Sequence, residues 1–235
     1  MSRLSRVIVP MLHAAGLDVR MVGRADVVSA LARHFSDRRF VTIVGPGGIG
    51  KTTVALAAAH TLSDTYADGI WFVDLASHPD PALVPSAIAS VVGLTIHADN
   101  PVPSLVSLLT DKQMLLVLDS CEHVIEATAM LAVELLRGAR GVHILATSRE
   151  PLRAEGERVQ RLAPLGFPAA SPDLTAAKAL TFPAIQLFVD FAEIGNMGTV
   201  QDCGAKLNCL DRILAAVANQ RAAHEHDGGE LINQP

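Results

Sequence analysis

Val41-Thr42-Ile43-Val44-Gly45-Pro46-Gly47-Gly48-Ile49-Gly50-Lys51-Thr52-Thr53 is a β-branched run that ends in a glycine cluster and leads into helix formers. Gly45 to Thr52 fits G-x-x-x-x-G-K-[ST] at every fixed position, the pattern of a phosphate-binding P-loop. Gly45, Gly47, Gly48 and Gly50 let the backbone take dihedrals closed to other residues and turn its N–H groups toward one point. The helix that follows, expected over Thr53 to Thr61, adds unpaired N–H groups and a positive dipole end. Lys51 supplies a mobile point charge for the β- and γ-phosphates, and the Thr52 hydroxyl a ligand for Mg²⁺. Pro46, Ile49 and Thr53 complete the cradle. The stretch therefore points to a nucleoside triphosphate, with the strand before it and the helix after it making an α/β fold.

Composition agrees. A chain of 235 residues, half of them hydrophobic and 18% charged, can bury a sizeable core. Aromatics are only 4%, so that core is built from Val, Leu, Ile and Ala. A net charge of −5 gives no general electrostatic case for nucleic-acid binding. Cys121, Cys203 and Cys209 lack metal-type spacing and read as reduced thiols. The apolar run Val7 to Leu12 is too short for a signal core or a membrane span, so a cytoplasmic protein with no membrane contact is expected.

In chain order, residues 1–20 read as a leader. Residues 25–36 carry apolar side chains at helical spacing, and Phe40–Val44 is the first strand. Gly69–Leu75, Met114–Asp119, Val142–Thr147 and Arg158–Leu162 are the other four expected strands. The second of the five, nearly all apolar, reads as buried on both faces, with Trp71 in the core. Helices are expected over 81–93, 102–110 and 124–137. Strands alternating with helices predict a three-layer α/β sandwich around a parallel five-stranded sheet, over residues 21–165. A linker and helix over 166–194 follow, then a divergent, partly disordered tail over 195–235. In that tail His224-Glu225-His226 reads as solvated residues rather than a metal site.

Ligands of such sheets sit at the carboxyl ends of the strands. Asp119 ends Leu115-Leu116-Val117-Leu118-Asp119 and is placed to hold Mg²⁺ through its water shell, with Thr52 the other metal ligand. Glu122 either polarises an attacking water or merely favours the next helix N-terminus. Ser120 either bonds near the γ-phosphate or caps that helix. Arg149, after Thr147-Ser148, either contacts the γ-phosphate or forms a surface pair with Glu150 or Glu155. His123 reads as solvent-facing and Cys121 as buried and inert.

Four segments together resemble the STAND ATPases: Val22-Gly23-Arg24, Gly45–Thr53, Leu115–His123 (LLVLDSCEH) and Leu145–Leu152 (LATSREPL). More narrowly, they are similar to the NB-ARC-type ATPases attached to bacterial winged-helix, LuxR-type and AfsR-like transcriptional regulators. The resemblance spans about residues 20–190. It implies an ATP/ADP switch with slow hydrolysis, Val22, Gly23 and Arg24 near the adenine, Asp119 on Mg²⁺ and Arg149 at the γ-phosphate. Lys51, Asp119, Glu122 and Arg149 would then be the catalytic set. Two departures stand out. Ser120 replaces the Asn common after that Asp, and Leu207–Leu214 lacks the Gly-Leu-Pro-Leu-like motif of the helical lid.

No DNA-binding module precedes residue 20 and no repeat sensor follows, so the expectation is an isolated nucleotide-binding core, with regulatory partners or self-association open. The competing readings are a small-molecule or nucleotide kinase, with arginines 149, 153, 158 and 161 as a weak lid, and a truncated remnant that no longer binds. No Asn-Lys-x-Asp or Leu-Ser-Gly-Gly-Gln segment is present, which disfavours a GTPase and an ABC-type ATPase.

Overall fold

A computed structural model describes residues 21–93, 101–169 and 174–194. The expectations for the leader, the tail, Cys203, Cys209 and His224-Glu225-His226 lie outside these residues. The chain divides into two compact units, with the boundary between Pro164 and Leu165.

The first unit opens with α1 (Ala25–His34) and β1 (Phe40–Val44), followed by α2 (Lys51–Thr61) and β2 (Ile70–Asp74). Then come α3 (Val84–Val91), α4 (Pro101–Leu109), β3 (Met114–Asp119), α5 (Ile125–Gly138), β4 (Val142–Ser148) and β5 (Arg158–Arg161). The five strands form one sheet in the order β2-β3-β4-β1-β5, and every pairing is parallel. Alternation along each strand splits the core between two faces. Leu116, Leu118, Ile144 and Ala146 pack with Ile88 of α3, Leu105 of α4 and Leu131 of α5. Leu115, Val117, Leu145 and Ile43 pack with Leu31 of α1 and Val54 and Ala58 of α2. The result is the expected three-layer α/β sandwich.

Strand order corrects one expectation. β2 lies at the sheet edge, so Trp71 and Phe72 are only half-buried although the run is apolar. Trp71 packs against the core and its indole N–H donates to the carbonyl of Asp68 at 3.0 Å. The expected helix over 81–93 also divides: Pro81–Leu83 is a 3₁₀ turn capped by Asp80, whose carboxylate accepts from the Ala82 N–H, and α3 follows. Arg39, just before β1, closes the far end of α5. Its guanidinium donates to the carbonyls of Leu136 (2.7 Å), Ala139 (3.3 Å) and Arg140 (3.3 Å), otherwise open at a helix C-terminus.

The second unit contains α6 (Ala176–Ala179) and α7 (Pro183–Ile194). Thr175 caps α6 by accepting from the Lys178 N–H, and Ala176 and Ala179 are buried with Leu180, Ile185 and Val189 around them. No described helix is long and apolar enough to cross a membrane.

Candidate functional site

β1 and β4 are neighbours at the middle of the sheet, and their carboxyl ends face the loop Gly45–Gly50. The ladder continues past β1: the Gly45 N–H donates to the Ser148 carbonyl at 3.2 Å, and the Leu162 N–H to the Val44 carbonyl at 2.8 Å. The backbone is so close here that a β-carbon on Gly45 would stand 3.2 Å from both the Ile49 side chain and the Leu162 carbonyl. Gly50 takes φ +92° and forms the N-cap of α2 without any side-chain cap. No acidic residue lies in the first turn, so the leading N–H groups of α2 are left for an external anion.

Lys51 begins α2 and is 9% exposed. Its ammonium donates to the carbonyls of Gly45 (3.0 Å) and Pro46 (3.1 Å), which folds the charge across the loop and occupies two of three donors. Arg24 braces the loop from the side. It is buried, and its guanidinium donates to the Ile49 carbonyl (3.2 Å) and to the Ala163 carbonyl (2.6 Å). Burial lowers its pKa, because the charge loses solvent. Val22 and Gly23 form the turn before α1, with Gly23 at φ +66°. Arg24 thus spends its donors on backbone that shapes the loop, a role its sequence position alone did not reveal.

Asp119 ends β3 and is 6% exposed. Register brings it beside Thr147, since Leu118 pairs with Ala146 one step earlier. The Thr147 hydroxyl donates to Asp119 Oδ1 at 2.6 Å and accepts from the Ser120 N–H at 3.0 Å. From the first turn of α2, the Thr52 hydroxyl reaches the same carboxylate, 2.8 Å from Oδ1 and 3.0 Å from Oδ2. One hydroxyl has one proton, so Thr52 shares it between the two oxygens and keeps lone pairs for a further partner. Thr147 was legible only as a polar residue at a strand end; its grip on Asp119 follows from register.

Ser120 has φ +62° and ψ +46°, the left-handed region. It makes no side-chain cap bond, which corrects the helix-cap alternative; its hydroxyl lies 3.4 Å from Asp119 Oδ2. Glu122 sits in the 3₁₀ turn Cys121–His123 ahead of α5. Its Oε1 accepts from Arg149 Nε at 3.1 Å, while its Oε2 is buried without a hydrogen-bond partner. Arg149 therefore pairs with neither Glu150 nor Glu155, which instead meet Arg153 and Arg137. A β-carbon on Gly47 would lie 3.8 Å from Arg149 Nη2, so the guanidinium stands over the loop. Arg158 and Arg161 lie on the edge strand β5. His123 is exposed. Cys121 is buried, its pKa raised by burial first and by the Asp119 and Glu122 charges next, and its thiol donates to the Leu118 carbonyl.

The arrangement suits a phosphate chain and a hard cation. Gly45 lets the loop pack closely on Ile49 and Leu162, and Gly47 leaves open space under Arg149. Lys51 and Arg149 flank that space with positive charge, and Thr52 and Asp119 offer oxygens. Among the described residues no group of three or more His, Cys, Asp or Glu could hold a metal ion by itself.

Comparison with known proteins agrees. The NB-ARC domain family matches residues 24–153. The uncharacterized protein Rv0894 of Mycobacterium tuberculosis (strain ATCC 25618 / H37Rv) is 35% identical over 172 residues, covering 73% of this chain and 40% of its own length. Rv0890c of the same organism, which carries the name of an HTH-type transcriptional regulator, is 38% identical over 161 residues, 67% of this chain and 16% of its own. The chain thus spans less than half the length of either relative. Among solved structures, the Drosophila ORC bound to DNA is similar in fold, with a TM-score of 0.55, 12% identity and coverage of 88% of this chain and 55% of that one. The matched segment holds the P-loop, Asp119 and Arg149, and the chain belongs to the NB-ARC domain family of nucleotide-binding P-loop ATPase modules.

Proposed function

We propose that this chain is an ATP/ADP-binding switch of the STAND type with weak ATPase activity, the nucleotide-binding part of a transcriptional or signalling regulator. The observation that carries the reading is the contact of Thr52 with Asp119 at 2.8 Å beneath a loop whose lysine is already turned inward. Gly45–Thr53 would cradle the phosphates, Lys51 the β and γ groups, and Thr52 with Asp119 would hold Mg²⁺. The cation, when bound, neutralises charge that develops between the β- and γ-phosphates. Glu122 would act on the attacking water, and Arg149 would meet the γ-phosphate. Val22, Gly23 and Arg24 lie in the turn and helix entry that would border the adenine. The regulator context rests on the name of Rv0890c, and the partner proposed for this chain besides the nucleotide is a regulatory protein or a second copy of the chain. The buried free thiol of Cys121 fits the reducing cytoplasm.

Calorimetric titration with ATP and ADP, each with Mg²⁺, beside Lys51→Ala, tests the proposal. The expected result is adenine-nucleotide binding that the substitution weakens by at least about tenfold, the scale of one charge-assisted phosphate contact, with little turnover. Wild-type protein that is folded and binds neither nucleotide would refute it.

A further inference from the structure

We infer that Glu122 is a specificity-determining residue that sets the preference between tri- and diphosphate by competing for Arg149. This rests on the nucleotide-switch reading above. Glu122 and Arg149 differ sharply in exposure: the carboxylate side chain is 14% accessible, the guanidinium side chain 64%. The carboxylate is enclosed, one oxygen is paired only with Arg149 Nε, and the other is buried with no partner. Such a half-satisfied carboxylate holds to its one counter-ion, while the guanidinium, largely in solvent, keeps the pair near the strength of an exposed one. Arg149 also stands over Gly47, within reach of the space where a terminal phosphate would lie. A γ-phosphate offers the guanidinium a bidentate anion, whereas a diphosphate ends short of it. Glu122 and the γ-phosphate therefore compete for one cation, and the exchange taxes the triphosphate alone. When Arg149 moves to the phosphate, the Glu122 carboxylate is unmasked on both oxygens, so recognition of the triphosphate and readiness of the base become one event.

The test is to measure affinities for a non-hydrolysable ATP analogue and for ADP, with Mg²⁺, on wild type, Glu122→Gln, Arg149→Ala and the double variant. Glu122→Gln should raise the analogue-to-ADP affinity ratio about three- to fivefold, the size of an exposed ion pair, through the analogue alone. That gain should vanish in the Arg149→Ala background. An unchanged ratio in Glu122→Gln overturns the inference while leaving nucleotide binding intact. A gain that persists without Arg149 overturns it too, since Glu122 would then act by direct repulsion of the phosphate. Wild type that binds neither nucleotide removes the inference together with the switch reading.

Discussion

Thr147→Val is the substitution whose outcome depends most directly on the site geometry. Thr147 is 1% exposed, and its hydroxyl both donates to Asp119 Oδ1 and accepts from the Ser120 N–H. Valine keeps the shape and the strand preference of threonine, so neither a cavity nor β-propensity contributes. Two hydrogen bonds go, one of them to an ionised group, and the Ser120 N–H loses its hydroxyl partner. A bond to a charged group contributes about 1.5–3 kcal/mol and a neutral one about 1, so the variant should lose about 2.5–4 kcal/mol. Total stability of such domains is about 5–15 kcal/mol, and the variant should still fold. With a urea slope of about 2 kcal/mol per molar, the midpoint should fall by about 1–2 M. Thr147→Ser, which keeps the hydroxyl and loses one methyl, should lose only about 1 kcal/mol. Urea denaturation followed by circular dichroism on the three proteins decides the matter. A Val variant within about 0.5 kcal/mol of wild type, or a Ser variant as unstable as the Val one, would refute the role given to the hydroxyl.

Three further outcomes are expected. Ser120→Asn should raise stability by about 0.5–1 kcal/mol in thermal melts, because Asn tolerates the left-handed backbone that Ser120 occupies at φ +62°; a fall would mean that the 3.4 Å hydroxyl contact with Asp119 outweighs the strain. Arg39→Ala should cost about 1–2 kcal/mol by uncapping α5, and hydrogen exchange should rise first at residues 135–139. His143, half-buried against the rings of Phe35 and Tyr66, has its pKa lowered from 6.5, chiefly by burial and further by Arg39, against an opposing bond to the Gly141 carbonyl. The unfolded chain then binds this proton more readily than the folded one, so stability is held above pH 6.5 and lost as pH falls through the lowered folded value. His143→Phe should flatten that acid-side slope in melts across pH 5–7; an unchanged slope would place its origin elsewhere.

Much of this fold is legible before any coordinates. Phe40–Val44, Met114–Asp119 and Val142–Ser148 are apolar runs bounded by turn residues, and such runs report burial on both faces. Gly69–Leu75 has the same composition yet lies at the edge, because composition carries no information about which strand ends up beside which. Within the site, the loop is readable from local chemistry, since the glycines, Lys51 and Thr52 act within eight consecutive residues. The Glu122–Arg149 and Asp119–Thr147 contacts are not, because each needs the register of β3 against β4. The backbone of Ser120 lies between these cases. An Asn expected after Asp119 hints at a left-handed residue, and the structure supplies the reason at φ +62°.

The site has two halves of different character, and the division bears on how a switch can work. Lys51, Thr52, Asp119 and Thr147 are held by one another and by backbone, with Asp119 and Thr147 almost wholly buried. Thr52 donates its proton to Asp119 while its lone pairs stay available, so a cation could join both oxygens without either residue leaving its place. Thr52, Asp119 and Thr147 are thus preorganised, and preorganised groups bind without a reorganisation cost but discriminate little between two ligands that both reach them. Glu122 and Arg149 form the other half, an ion pair with one member largely in solvent and one oxygen unsatisfied. A terminal phosphate would change who pairs with whom there, and also at Lys51, whose ammonium now donates to the Gly45 and Pro46 carbonyls. A ligand shifts a conformational equilibrium by its differential affinity for the two states and by nothing else. On the switch reading proposed above, the buried carboxylate and hydroxyls would supply affinity common to both nucleotides. The difference that drives a conformational signal would arise where charges must change partners, at Arg149 and Lys51.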